Sequence, residues 1–249
     1  MSRWLQTPMG SYVLDWEQAC LDEAVVDAFG YHALQLGLPQ LNGLRENRMP
    51  HRWMAVRSMD PGLETCHAPY SVLQCDFDAL PFPSQSLDLI ALPHALELTH
   101  DPHLTLSEAE RVLVPEGRLM ILGFNPHSLW GWGGRLPVPG PLAYRRVRDW
   151  LRLLSFEVED ARFGCWRPAF SSPQWLERMR WLDIIGERWW PVLGGVYFIT
   201  AVKRIRGMRL VGLARRQSSQ RGSRATVATS IQGHAPSPRW GDSKAGSVR

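Results

Sequence analysis

Short apolar runs recur along this chain at spacings that leave room for a helix between them, and this alternation limits the possible folds more than any other feature of the sequence. HALQLG (32–37), RWMAV (52–56), SVLQCD (71–76), LDLIAL (87–92) and RLMILGF (118–124) have the length and near-continuous apolarity of strands buried on both faces. FEVEDARF (156–163) alternates as a half-buried strand, and GVYFITAVK (195–203) reads as a last one. Between them lie helical patterns. Residues 10–29 place Tyr12, Val13, Trp16, Cys20, Ala24 and Phe29 near one helical face with the acids elsewhere, and Gly30 ends that helix. Asp101 caps a second helix with Pro102 at its first position, running to about Val114 before PEG (115–117) stops it. YRRVRDWLRLLSF (144–156) is a third, with basic and apolar faces. Strands alternating with helices predict an α/β fold with a mostly parallel sheet covered on both faces. Ligands of such sheets bind beyond the carboxyl ends of the strands, where strand order reverses. The loops after HALQLG and SVLQCD are therefore the ones to examine.

Charge divides the chain in two. Residues 204–249 carry ten Lys/Arg and one acid, Asp242, leaving 18 basic and 23 acidic side chains for residues 1–203. The basic segment is rich in Ser, Gly, Arg and Pro and poor in large apolar residues, so it reads as a disordered tail following a domain over 1–203. Such a tail is either a solubilising extension or a tether to nucleic acid or an anionic surface, acting by phosphate neutralisation. The four cysteines, at 20, 66, 75 and 165, form no C-x-x-C pair and fit reduced thiols better than disulfides or a zinc site. The first residues acquire acids too early for a signal peptide, and no apolar run reaches the roughly 20 residues of a membrane span. A cytoplasmic protein without a membrane span is the expectation.

The stretch CDFDALPFPSQSLDLIALPHALE, followed by EAERVLVPEGRLMILGF, carries a specific joint pattern. It has an acid at the end of the third strand (Asp76), Leu80-Pro81-Phe82, Leu87-Asp88 opening the fourth strand, then Glu108, Arg111-Val112-Leu113, Pro115 and Gly117 before the fifth. This pattern resembles the class I S-adenosylmethionine-dependent methyltransferases, specifically the methyltransferase type 11 group, and the GFNPHS stretch with the basic tail is similar to a small bacterial branch of it. The resemblance implies a Rossmann-like class I methyltransferase fold, a seven-stranded mostly parallel sheet with helices on both faces, and S-adenosylmethionine as cofactor. It implies that Asp76 accepts from the adenine amino group while the Phe77 N–H serves a ring nitrogen, which suits the chemistry of both groups. It likewise implies that Leu92, Pro93 and His94, after the fourth strand, face the sulfonium and substrate. His94 is the candidate general base, since imidazole titrates near neutrality. Leu80-Pro81-Phe82 is expected to shape its loop rather than to recognise a ligand.

The first motif departs from the pattern. Laid on it, ALQLGLPQL places Gln35 where an acid is usual and keeps Gly37, but puts Pro39 and Leu41 at later glycine positions. Pro39 has no N–H, and Leu41 adds a side chain where bare backbone is expected. Three lost contacts would weaken cofactor binding by roughly one to three decades. Asn42-Gly43 offers positive φ for a turn two residues later. The ribose-binding acid after the second strand is absent as well: Arg57 stands near that register, and Asp60 is the nearest acid. His94, His100 and His103 have poor spacing for a metal. Asn125-Pro126 is assigned to the substrate-side wall. Residues 125–140 and 164–195 read as insertions forming a substrate-side cap. Their tryptophans form either a stacking platform for a planar substrate or the core of that cap. Two functions follow: a methyltransferase acting on a small molecule or RNA, or a methyltransferase-fold interaction module with weak or no catalysis, reaching RNA through its tail. Oligomeric state carries no signal here.

Overall fold

The computed structural model describes residues 1–58, 70–134, 136–168 and 173–204. The expected disordered tail over 204–249 lies outside them except for Arg204, as does Asp60. Among the described residues the strands are β1 His32–Leu36, β2 His51–Val56, β3 Ser71–Gln74, β4 Leu87–Pro93, β5 Leu113–Phe124, β6 Phe156–Gly164 and β7 Val196–Lys203. They form one sheet in the order β3-β2-β1-β4-β5-β7-β6, parallel except where β7 runs antiparallel to β5 and β6. The helices are α1 Ser2–Leu5, α2 Pro8–Val26, α3 Ala95–Leu98, α4 Pro102–Val112, α5 Leu129–Trp132, α6 Tyr144–Leu153, α7 Pro173–Arg178 and α8 Trp181–Trp189.

Each face of the sheet carries its own apolar layer. One packs α2 and the β1–β2 connection against Met54, Leu89, Met120, Leu122 and Phe198. The other packs α4 and α6 against Leu34, Leu36, Ile90, Leu92 and Ile199. Neighbouring residues of each central strand enter opposite layers, which is why those strands are apolar throughout. The predicted cap of α4 is present: the Asp101 carboxylate accepts from His103 N–H at 2.9 Å and Leu104 N–H at 3.1 Å.

Two expectations about the first helix are corrected. It spans Pro8–Val26, so Phe29 lies beyond it and is exposed. Its acids are not all on the polar side, because Glu17 is completely buried. Glu17 falls four residues after Val13 and four before Leu21, in phase with the buried stripe.

Several residues of the recognised pattern hold the frame together. The Asp88 carboxylate accepts from Tyr31 N–H at 2.8 Å and His32 N–H at 2.9 Å, tying the start of β1 to β4. Glu108 accepts from Leu80 N–H, and Arg111, paired with Glu108, donates to the Leu80 and Phe82 carbonyls. The Leu80-Pro81-Phe82 segment is thus a buckled loop, as expected of it. Loss of the Asp88 carboxylate leaves two β1 N–H groups without their acceptor. Asp88→Ala is expected to lower stability by about 2 kcal/mol in urea unfolding, since hydrogen bonds to a charged group are the stronger kind.

Candidate functional site

Strand order reverses between β1 and β4, so the carboxyl ends of these strands open the crevice where a ligand would sit. The connection from β1 to β2 spans residues 37–50 and is built of turns, with no helix. Its organiser is Gln35, fully buried at the end of β1. The Gln35 amide nitrogen donates to the carbonyls of Gly37 (3.2 Å), Leu38 (3.2 Å) and Leu41 (2.8 Å), so its two N–H bonds are shared among three acceptors. Its carbonyl oxygen accepts from Gly43 N–H at 2.9 Å. Gln18 of α2 clamps the same turn from outside, donating to the Asn42 carbonyl and accepting from Asn42 N–H.

This arrangement explains the departures in the motif. Carbonyls pointing inward need a donor, and a carboxylate has none. Leu38, Leu41 and Leu44 turn into the core rather than toward the crevice. The expectation that Asn42-Gly43 supplies positive φ is not met: the left-handed residues are Gly37 (φ 75°) and Leu38 (φ 46°). Gly43 is needed for space instead, since a Cβ there would lie 2.9 Å from Leu21 Cδ1 and 3.0 Å from Gln35 Oε1.

Across the crevice, Asp76 is exposed just beyond β3; its carbonyl accepts from Ala79 N–H, while its carboxylate makes no hydrogen bond or ion pair among the described residues. Phe77 is buried, its ring 3.5 Å from where a Cβ on Gly37 would stand. Arg57, directly after β2, donates to the Leu98 carbonyl and to Thr99 Oγ1, both at 3.0 Å, with its guanidinium 5.3 Å from the centre of the Phe77 ring. Its side chain therefore ties the end of β2 to the C-terminal end of α3 and to Phe77 after β3. Leu92 and Pro93 are buried at the end of β4.

His94 follows in the left-handed region (φ 53°) and is completely buried. Its Nε2 lies 2.6 Å from Glu17 Oε1 and its Nδ1 2.7 Å from Glu97 Oε2, while its ring stacks on Phe124 at 4.3 Å. Glu97 also accepts from Phe124 N–H at 2.7 Å. Burial pulls the imidazole pKa down, but the two carboxylates outweigh it and raise it to about 10. Burial pushes the Glu97 carboxyl up, against the opposing pull of His94. The result is an imidazolium fixed between α2, β4 and β5, with neither ring nitrogen available to take a proton.

Nothing in the residue pattern alone named Glu17 or Glu97 as partners of His94. The phase of Glu17 on the apolar stripe was the available signal; Glu97 gave none, because its role depends on the end of β5.

The chain has the class I methyltransferase fold. The family described as "Methyltransferase domain" matches residues 51–121. A chain from the Haloferax volcanii complex between the Trm112 methyltransferase activator and a methyltransferase superposes with TM-score 0.57 at 18% identity, covering 83% of this chain and 96% of that one. An Archaeoglobus fulgidus S-adenosylmethionine-dependent methyltransferase gives TM-score 0.57 at 20% identity, covering 76% and 94%. In sequence, the chain is 44% identical over 94 residues to the Escherichia coli (strain K12) protein YafS, 34% of this chain and 39% of YafS. It is 43% identical over 56 residues to the ubiquinone/menaquinone biosynthesis C-methyltransferase UbiE of Cellvibrio japonicus, 22% of each. The chain thus spans well under two thirds of these curated relatives.

Within this methyltransferase fold, the tryptophans of the two insertions are divided between the interior and the surface. Trp130 is buried and donates to the Arg167 carbonyl at 2.7 Å, but Trp132, Trp175, Trp181, Trp189 and Trp190 face outward. Asn125 donates to the carbonyls of Val192 and Gly194, joining the end of β5 to the second insertion.

Two substitutions check the site. Gln35→Glu, which brings the motif closer to the common pattern, is expected to lower stability by about 2 kcal/mol or more, because a carboxylate would face three carbonyl oxygens. Denaturant unfolding at neutral pH measures it. His94→Leu leaves two buried carboxylates without their cation and should cost about 3–5 kcal/mol. The sign with pH follows from the raised folded-state pKa. The stability conferred by His94 is fully present below its ordinary value of 6.5 and is lost as pH climbs toward about 10. The difference between wild type and His94→Leu should therefore shrink across that window.

Proposed function

We propose that the chain is an S-adenosylmethionine-dependent methyltransferase whose cofactor lies across the carboxyl ends of β1 to β4. The observation that carries this reading is Asp76, an unpaired exposed carboxylate beside the Phe77 N–H at the end of β3. A carboxylate next to a backbone donor matches the exocyclic amine and adjacent ring nitrogen of adenine. Gly37, bare of side chain and opposite Phe77, permits close approach from the β1 side. Leu92 and Pro93 supply an apolar wall that keeps water from the reacting centre. When bound, S-adenosylmethionine supplies an electrophilic methyl group on its sulfonium.

For proton handling, His94 is a positioning residue: charged and doubly engaged, it sets the turn after β4 and anchors α2 over the crevice. The acceptor must then bring its own nucleophilicity, and the protein contributes alignment and exclusion of water. Asp60, three residues past Arg57, is the remaining candidate for a ribose contact. A bacterial setting is supported by the bacterial relatives. The substrate class follows from neither UbiE nor YafS, since the matched segments are short.

A second reading, an interaction module that binds cofactor weakly, is favoured by Arg57, whose guanidinium covers the Phe77 ring in the crevice. Thermal unfolding with millimolar S-adenosylmethionine and its demethylated product decides between them. A ligand at about 100 times its Kd adds about 2.7 kcal/mol of apparent stability. We expect a shift with both ligands and its near loss in Asp76→Ala. No shift in wild type or in Arg57→Ala would leave the module reading.

A further inference from the structure

The described surface carries a concentration of large apolar side chains that the crevice does not use. On α8, Trp181, Ile184, Ile185 and Trp189 point outward at helical spacing, with Ile184 72% and Trp189 70% exposed. The opposite side of the helix is the packed one: Gly186 sits against the Trp166 ring, and Asp183 accepts from the Tyr12 hydroxyl at 2.5 Å and from Arg167 at 2.8 Å. The outward face is thus held rigidly by its buried side. It continues into Trp190, Val192 and Leu129, and an apolar groove of about 260 Å³ runs between Leu129, Ile185 and Trp190. Trp132, 74% exposed, extends from the next helical turn after Leu129.

We propose that this face is a docking surface for an anionic lipid bilayer, with α8 lying in the interface plane. Three features select a lipid surface over a protein partner. Half of the eight apolar residues named are tryptophans, whose ring is apolar and whose N–H can stay hydrated, a combination suited to the headgroup boundary. Arginines are interleaved with them: Arg188 lies on the apolar side of α8, and Arg178 is stacked on Trp175 at 5.5 Å. Their stems can lie in apolar surroundings while the guanidinium reaches phosphate. At the rim, Val192 and Leu193 border a second cavity of about 480 Å³ that is lined on its other side by His127, Tyr144, Arg145 and Arg148, and its arginines match a lipid phosphate. By sequence, the segment after Arg204 adds further positive charge, the composition that anionic leaflets attract. No described helix is long and apolar enough to cross a membrane, so the contact is interfacial. This inference stands independently of the cofactor reading.

The test is flotation of the full chain with phosphatidylcholine vesicles and with mixed phosphatidylcholine–phosphatidylglycerol vesicles, following tryptophan emission. Wild type should float with the mixed vesicles, with blue-shifted emission, and should keep part of that binding at about 0.5 M salt, where exposed charges are screened. The double variant Ile184→Glu/Trp189→Glu, at exposed positions, should bind at least roughly tenfold less with an unchanged melting temperature. A Trp132→Ser variant should show a smaller loss in the same direction. Absence of vesicle binding overturns the proposal. So does binding that salt abolishes and the variants leave intact, which would assign it to the basic segment alone. A wild-type dimer that the double variant dissociates, without vesicle binding, would assign the face to a second copy.

Discussion

A buried carboxamide governs how this methyltransferase fold begins. Gln35 ends β1 inside the protein, where an unsatisfied polar group is costly, and every part of its hydrogen-bonding capacity is used by the turn that follows. The turn is folded inward around it, so Leu38, Leu41 and Leu44 can fill the space between β1 and α2 that a crossover helix would otherwise cover. The β1–β2 connection is helix-free, and its backbone carbonyls are satisfied by side chains: those of Gly37, Leu38 and Leu41 by Gln35, that of Asn42 by Gln18, and those of Leu44 and Asn47 by Arg52.

The second fixed point is the His94 imidazolium. Three elements far apart in sequence, α2, the end of β4 and the end of β5, meet at one charge with a carboxylate on either side. Removing two acids and a base from water is expensive, and only the close geometry of the three compensates it. These contacts hold His94 in its left-handed conformation. On the opposite wall of the crevice, Arg57 reaches over Phe77 from a partly exposed position.

The rigid α8 and its outward tryptophans belong to the same logic. Asp183 and Gly186 secure one side of the helix through Tyr12, Arg167 and Trp166, so the other side is presented in a fixed orientation. An apolar face with that support is a built surface rather than a frayed one. Its position next to the arginine-lined cavity joins the two insertions into one side of the molecule.

Much of the fold was legible in the residues. Continuous apolar runs announced the central strands, because a strand covered on both faces cannot alternate, and Asp101-Pro102 announced α4, because capping is local chemistry. Asp88, Glu108 and Arg111 stood out in a pattern, though their work as tethers of β1 and of the Leu80-Pro81-Phe82 loop became clear only from their partners. The site was less legible. Gln35 read as a lost acid, and Leu41 as an obstruction, since nothing local says which way a carbonyl or a leucine will point. The partners of His94 lie 77 residues before it and one helical turn after it. Sequence by itself determined the layers, the strand content and the place of the crevice, all of which follow from local periodicity and capping. Tertiary structure alone decided the charge of His94, the inward turn around Gln35 and the outward face of α8, because each depends on which distant groups share a burial site.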